Sequence, residues 1–104
     1  GGGGIVIWYI RRNNGVIEEV SRVESDRLDS TLGNNVSIHK STAIAEDYEH
    51  KQLFIYRKNK NGKWEEKKII EFQSLNGDNN TVQVNDFYIA ACFDNSLNIY
   101  QNVQ

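Results

Sequence analysis

Hydrophobic residues along this chain come in short runs separated by Asn-, Gly- and charge-rich breaks, and the runs read as strands. Ile5-Val6-Ile7-Trp8-Tyr9-Ile10 is β-branched and aromatic without polar alternation, the pattern of a strand covered on both faces. Asn13-Asn14-Gly15 follows as a hairpin turn, because Asn and Gly tolerate positive φ, and Val16 to Val23 returns as a more polar strand. Glu24 to Ser30 reads as a charged surface connection that Leu32-Gly33-Asn34-Asn35 closes. Val36-Ser37-Ile38 and Thr42-Ala43-Ile44-Ala45 are short strands about the turn His39-Lys40-Ser41, and Glu46 to Gln52 reads as a charged loop. Leu53-Phe54-Ile55-Tyr56 is apolar on both faces. Across the turn Asn59-Lys60-Asn61-Gly62 it meets the polar strand Lys63 to Phe72. Beyond a polar loop, Ser74 to Asn80, come Thr81–Val84, the turn Asn85-Asp86, the apolar strand Phe87–Phe93, the turn Asp94-Asn95-Ser96 and Leu97–Tyr100. The pattern predicts nine short strands and no helix. Glu18 to Asp29 comes nearest to helical spacing, but its apolar stripe is weak.

The runs recur at a fixed distance. Tyr9 and Tyr56 are 47 residues apart, as are Gly15 and Gly62, and Glu18-Glu19 and Glu65-Glu66. Val36 and Val82 are 46 apart, as are Ile38 and Val84, while Tyr56 and Tyr100 are 44 apart. Periods in the forties built from four short antiparallel strands belong to β-propeller blades. Inner strands of a blade are sandwiched between neighbours and the outermost is solvated, which is the asymmetry between Leu53–Tyr56 and Lys63–Phe72. The expected fold is therefore all-β, with antiparallel four-stranded β-propeller blades, about two of them, in an incomplete propeller. It forms one module over residues 1–104, with a partial blade at 5–23, a complete one at 32–72 and a partial one at 81–100. An ordinary β-sandwich or barrel is the alternative.

Asp29-Ser30-Thr31-Leu32-Gly33-Asn34-Asn35-Val36-Ser37-Ile38, followed by Ser41-Thr42-Ala43-Ile44-Ala45, resembles the FG-GAP-type propeller repeat of the integrin-like family. Leu53-Phe54-Ile55-Tyr56-Arg57-Lys58 through Gly62-Lys63-Trp64 is similar to the hairpin of the same repeat. The resemblance spans Ile5 to Tyr100. Leu32 stands where the family carries an aromatic residue. His39-Lys40-Ser41 and Asn85-Asp86 stand where several members carry a calcium loop, and they lack the oxygen ligands calcium requires. A WD-repeat propeller is a near competitor, with Asp94 where such blades place their turn aspartate. The resemblance implies a binding or adhesion role and an extracellular or cell-surface setting.

Composition narrows the function classes. The chain has 104 residues, 38% hydrophobic and 25% charged, which suits one globular domain. Its net charge of −2 offers no basic excess for phosphates, so nucleic acid is not an expected partner. Cys92 is the single cysteine, which excludes an internal disulfide and a metal site built from four thiolates. Proline is absent, so the turns depend on Gly and Asn. Ile5 to Ile10 before Arg11-Arg12 is far short of the roughly 20 residues a membrane-spanning helix needs. A propeller normally closes with about four to eight blades, so the pattern implies a segment of a longer propeller, or a homo-oligomer or larger assembly.

Chemistry is sparse. No nucleophile elbow, phosphate-cradling glycine loop or paired-histidine helix occurs, so the chain is expected not to be an enzyme and to carry no cofactor and no metal. Asp26 and Asp29 are an acid–base pair in composition only. Glu46-Asp47-Tyr48-Glu49-His50 is the one run of mixed ligand types, and a solvated charged loop is its simpler reading. Tyr48, Glu49, His50 and Trp64 are the candidate ligand-binding residues, with a protein partner or further propeller blades as the expected occupant. The alternative is a small lectin, whose two-blade protomers form a ring and whose Trp64 or Tyr48 stacks on carbohydrate. Asn35-Val36-Ser37 and Asn79-Asn80-Thr81 fit the glycosylation acceptor pattern at corresponding positions.

Overall fold

A computed structural model describes residues 3–72, 80–93 and 96–103, without the side chains of Phe93 and Ser96. Among these residues every regular element is a strand: β1 (Ile5–Arg11), β2 (Ile17–Glu24), β3 (Leu32–His39), β4 (Thr42–Asp47), β5 (Gln52–Lys58), β6 (Trp64–Glu71), β7 (Thr81–Val84), β8 (Tyr88–Phe93) and β9 (Ser96–Gln101). They form three antiparallel meanders in chain order: β1-β2, then β3-β4-β5-β6, then β7-β8-β9. The nine runs identified from hydrophobic patterning correspond to these nine strands.

The middle sheet is buried on both faces because the central stretches of its inner strands, Ala43–Ala45 and Leu53–Tyr56, carry apolar side chains on either side. Side chains alternate across a sheet, so Ile44, Leu53 and Ile55 face one way and Ala43, Ala45 and Tyr56 the other. The first set packs with Phe72 against Val82, Ile89 and Ala91 of the C-terminal sheet. The second packs with Leu32 against Trp8 of the N-terminal sheet, and Val6, Val20, Val23, Phe54 and Trp64 close around it. Every residue of β4 is buried, while β6 is largely exposed. Among the described residues there are thus two cores, one on each side of β4 and β5. Trp8 belongs to the first sheet's core alone, and no single interior gathers all three sheets.

Two hairpins share their local geometry. In the turn before β2, the Gly15 amide donates to the Arg12 carbonyl and the Arg12 amide to that of Val16; before β6, Gly62 donates to Asn59 and Asn59 to Lys63. Gly15 and Gly62 adopt φ of 86° and 81°, the left-handed conformation these turns demand of glycine. Both hairpins then slip register by one residue. The slip falls between Trp8 and Tyr9 in the first, leaving Val20 unpaired, and between Ile55 and Tyr56 in the second, leaving Lys67 unpaired.

Two boundaries differ from the sequence expectation. Leu32-Gly33-Asn34-Asn35 is part of β3, with an irregular register between Leu32 and Val36. Glu46 and Asp47 end β4 as buried strand residues, 0% and 2% exposed, and do not begin a solvated loop. Their polar heads are tolerated inside because each carboxylate is fully engaged by neighbouring donors. The predicted loop Ser74 to Asn80 lies outside the described residues except for Asn80, as does Asp94-Asn95.

Candidate functional site

Glu46 and Asp47 are consecutive on β4, so their carboxylates point to opposite faces of the middle sheet. Glu46 turns toward the C-terminal sheet. Its Oε1 accepts from Asn34 Nδ2 at 3.0 Å and Asn35 Nδ2 at 2.8 Å, and its Oε2 accepts from Asn80 Nδ2 at 3.0 Å. Removing a carboxylate from water costs several kcal/mol unless donors replace the solvent. Here three neutral amides replace it. Asn34 and Asn80 are 46 residues apart, at the same place in consecutive sheets. Asn35, the first asparagine of one glycosylation pattern, is half-buried and engaged with this carboxylate.

Asp47 turns the other way. Ser30 Oγ donates to its Oδ2 at 2.6 Å, and Oδ1 accepts from the Thr31 amide at 3.2 Å, Thr31 Oγ1 at 3.3 Å and the His50 amide at 3.2 Å. Burial pushes the Asp47 carboxyl up. The hydrogen bonds from Ser30 and from the Thr31 and His50 amides, with the charge of His50, outweigh it and hold the group below the usual aspartate value. The same residues fix the turn after β4: Thr31 Oγ1 accepts from the Glu49 amide at 3.0 Å, and Lys51 adopts a left-handed φ of 54°. This ties the entry of β3 to the exit of β4.

Beside that tie lies an open cleft of about 390 Å³ between the N-terminal and middle sheets. Its lining combines apolar side chains, among them Leu32 and Phe54, with Glu24, Asp26, Arg27 and Glu66. Arg27 is turned to the neighbouring turn, its Nη1 2.8 Å from His50 Nδ1, while His50 Nε2 lies 3.1 Å from Asp29 Oδ1. The cleft lining is therefore predominantly acidic, with Glu24, Asp26, Asp47 and Glu66 against the one guanidinium of Arg27, which is turned to His50.

The four sequence-derived candidates fall into two places. Tyr48, Glu49 and His50 share the turn between β4 and β5, beside the cleft. Trp64 opens β6, beyond the far end of β5, so the seven-residue strand separates them by about 20 Å. Trp64 is half-buried, stacked on Trp8 with ring centroids 5.4 Å apart and planes 12° from parallel. Its amide donates to Ser21 Oγ of β2 at 3.0 Å. Asp26 and Asp29 are both exposed and do not bond to each other. Sequence reasoning missed Glu46 and Asp47 as buried groups; the available signal was the Asn34–Asn80 spacing together with the Ser30-Thr31 pair.

At the opposite end, the turns of two sheets are joined. Asp86, in the turn between β7 and β8, lies 2.9 Å from His39 Nε2 and 3.0 Å from Lys40 Nζ, in the turn between β3 and β4. Hydrogen bonds from Lys40 and His39 lower the Asp86 carboxyl. Among the described residues no three His, Cys, Asp or Glu side chains converge on a metal site, and no helix is long and apolar enough to cross a membrane. The arrangement can hold a cationic or amide-bearing group against the acidic cleft mouth. No family model, curated protein or solved structure matches the chain.

Proposed function

We propose that the chain is a non-enzymatic protein-interaction or adhesion module whose three sheets are successive blades of a β-propeller. In this reading β1-β2 supplies the outer two strands of one blade, β3 to β6 a whole blade, and β7 to β9 the inner three strands of the next. The coincident turns and register slips of the two hairpins support it, as does the burial of the middle sheet on both faces. Blade loops gathered at one end form binding surfaces in such folds.

The observation that carries the functional reading is the acidic cleft at that end, where Asp26 and Glu66 face solvent, Glu24 lies 3.7 Å from Arg22 Nη1, and Arg27 is held by His50. Such a mouth suits a basic side chain presented by a protein partner. Titrating the isotope-labelled chain with a lysine- and arginine-rich peptide tests this. Shifts should concentrate at Glu24, Asp26, Gln52 and Glu66, weaken with salt and vanish in the Asp26→Asn, Glu66→Gln double variant. A chain indifferent to that peptide, but binding a glycan array in a manner abolished by Trp64→Ala or Tyr48→Ala, would be a lectin instead.

A further inference from the structure

The three sheets use their faces in a fixed order. Trp8 and Ile55 stand immediately before the register slips of β1 and β5, and each is 6% exposed because the next sheet in the chain covers it. Ile99 holds the same place in β9, pairing with Ala90 as Ile55 pairs with Ile44. It is 58% exposed. The opposite face shows the reverse. Tyr56 is fully buried against the preceding sheet and Tyr100 packs on the middle sheet, whereas Tyr9, at the corresponding position of β1, is 59% exposed. Ile17 begins β2 as Trp64 begins β6; Trp64 lies on Trp8, and Ile17 is exposed.

The C-terminal sheet thus carries an uncovered face of the kind that receives a following sheet, with Leu97 beside Ile99. The N-terminal sheet carries an uncovered face of the kind that receives a preceding one. These are the two halves of a junction that the chain makes twice internally. We propose that they join between copies, the C-terminal sheet of one chain seating on the N-terminal sheet of a second copy. Ile99 then lies against the neighbour's Tyr9 and Ile17, as Trp8 lies against Tyr56 and Trp64 within the chain. The occupant is a second copy because each chain presents both halves. A face-to-like-face pairing would set Ile99 on Ile99 without the aromatic partner that the internal junction supplies. The contact is heterologous, so it propagates to a ring or an open stack. This inference rests on the reading of the sheets as stacked blades and goes beyond it in naming the two surfaces.

Sedimentation equilibrium over a concentration series tests it, with Ile99→Asp, Tyr9→Asp and, as a control on the exposed loop after β2, Leu28→Asp. All three positions are exposed, and circular dichroism checks that each variant folds. The expected mass of the unaltered chain and of Leu28→Asp rises with concentration above 12.0 kDa. Ile99→Asp and Tyr9→Asp each remain monomeric alone, yet an equimolar mixture forms a species of twice the chain mass and no larger, since each variant keeps the half the other lacks. Monomeric unaltered chain, association by either single variant, a monomeric mixture, or loss of association in Leu28→Asp overturns the proposal. If the folded monomer still binds the basic peptide at the cleft, the head-to-tail junction fails while the proposed binding role stands.

Discussion

Asn80, the residue before β7, donates from Nδ2 to Glu46 Oε2 at 3.0 Å and so anchors the C-terminal sheet to a carboxylate buried in the middle one. Asn34 and Asn35 hold the other oxygen of the same group. Losing one buried hydrogen bond costs about 1–3 kcal/mol when a partner is left unsatisfied. Asn80→Ala should lower stability to urea by that amount. Glu46→Ala should cost more, because three amides lose their acceptor. Glu46→Gln preserves shape but turns an amide donor toward other donors, so it should also destabilise. A double-mutant cycle between Asn80 and Glu46 should give a coupling of about 0.5–3 kcal/mol; strict additivity would show that the bond contributes nothing.

Trp8 is the central side chain of the other core. It meets Tyr56 edge-on at 4.9 Å and stacks on Trp64 at 5.4 Å. Trp8→Ala should cost about 3–5 kcal/mol, the range for emptying an aromatic core site. Trp64 should then shift its fluorescence toward that of solvated indole. An unchanged spectrum and midpoint would show that the N-terminal sheet does not pack on the middle one.

Asp47 makes stability depend on acid pH. Its folded-state value lies below its unfolded one, so its contribution is fully present above the ordinary aspartate value of 3.8. The contribution is lost as pH falls through the lower folded-state value. Urea midpoints should therefore decline on acidification below about pH 4–5, as expected for an aspartate lowered in the folded state. The decline should be shallower in Asp47→Asn. Parallel curves for the two proteins would remove Asp47 from the account.

Gly33 is required for two reasons. Its φ is 93°, and a Cβ there would stand 2.7 Å from the Ile5 carbonyl oxygen. Gly62 also has positive φ, but a Cβ there meets open space. Gly33→Ala should thus destabilise clearly more than Gly62→Ala, whose penalty is the backbone conformation alone, about 1–2 kcal/mol. Equal midpoints would mean that β1 and β3 do not approach as closely as this.

Strand positions were legible in the sequence because apolar runs and Asn-Gly turns are local signals. Asn13-Asn14-Gly15 and Asn59-Lys60-Asn61-Gly62 each specify a turn without outside help. The double coverage of Leu53–Tyr56 was legible too, since a strand solvated on one face would alternate, but the same pattern misled for Ile5 to Ile10: Trp8 is buried on the middle sheet, whereas Ile5, Tyr9 and Ile10 are 38%, 59% and 41% exposed. Glu46 and Asp47 were not, because a carboxylate is buried or exposed according to donors that lie far along the chain, here Ser30, Thr31, Asn34, Asn35 and Asn80. Tyr48, Glu49 and His50 were correctly placed on one turn, and Trp64 was separated from them only by strand direction. Partner arrangement around Arg27 and His50 depends on two loops meeting, which composition does not encode.

Amide hydrogen exchange in the native chain tests the central claim, that the middle sheet is enclosed between two others, most directly. The amides of β4 and β5, covered on both faces, should be the slowest to exchange, followed by β1 and β8, with β6 and β9 faster. Protection that is greatest in β1-β2 or in β7 to β9, or uniformly weak across all three sheets, would contradict that arrangement.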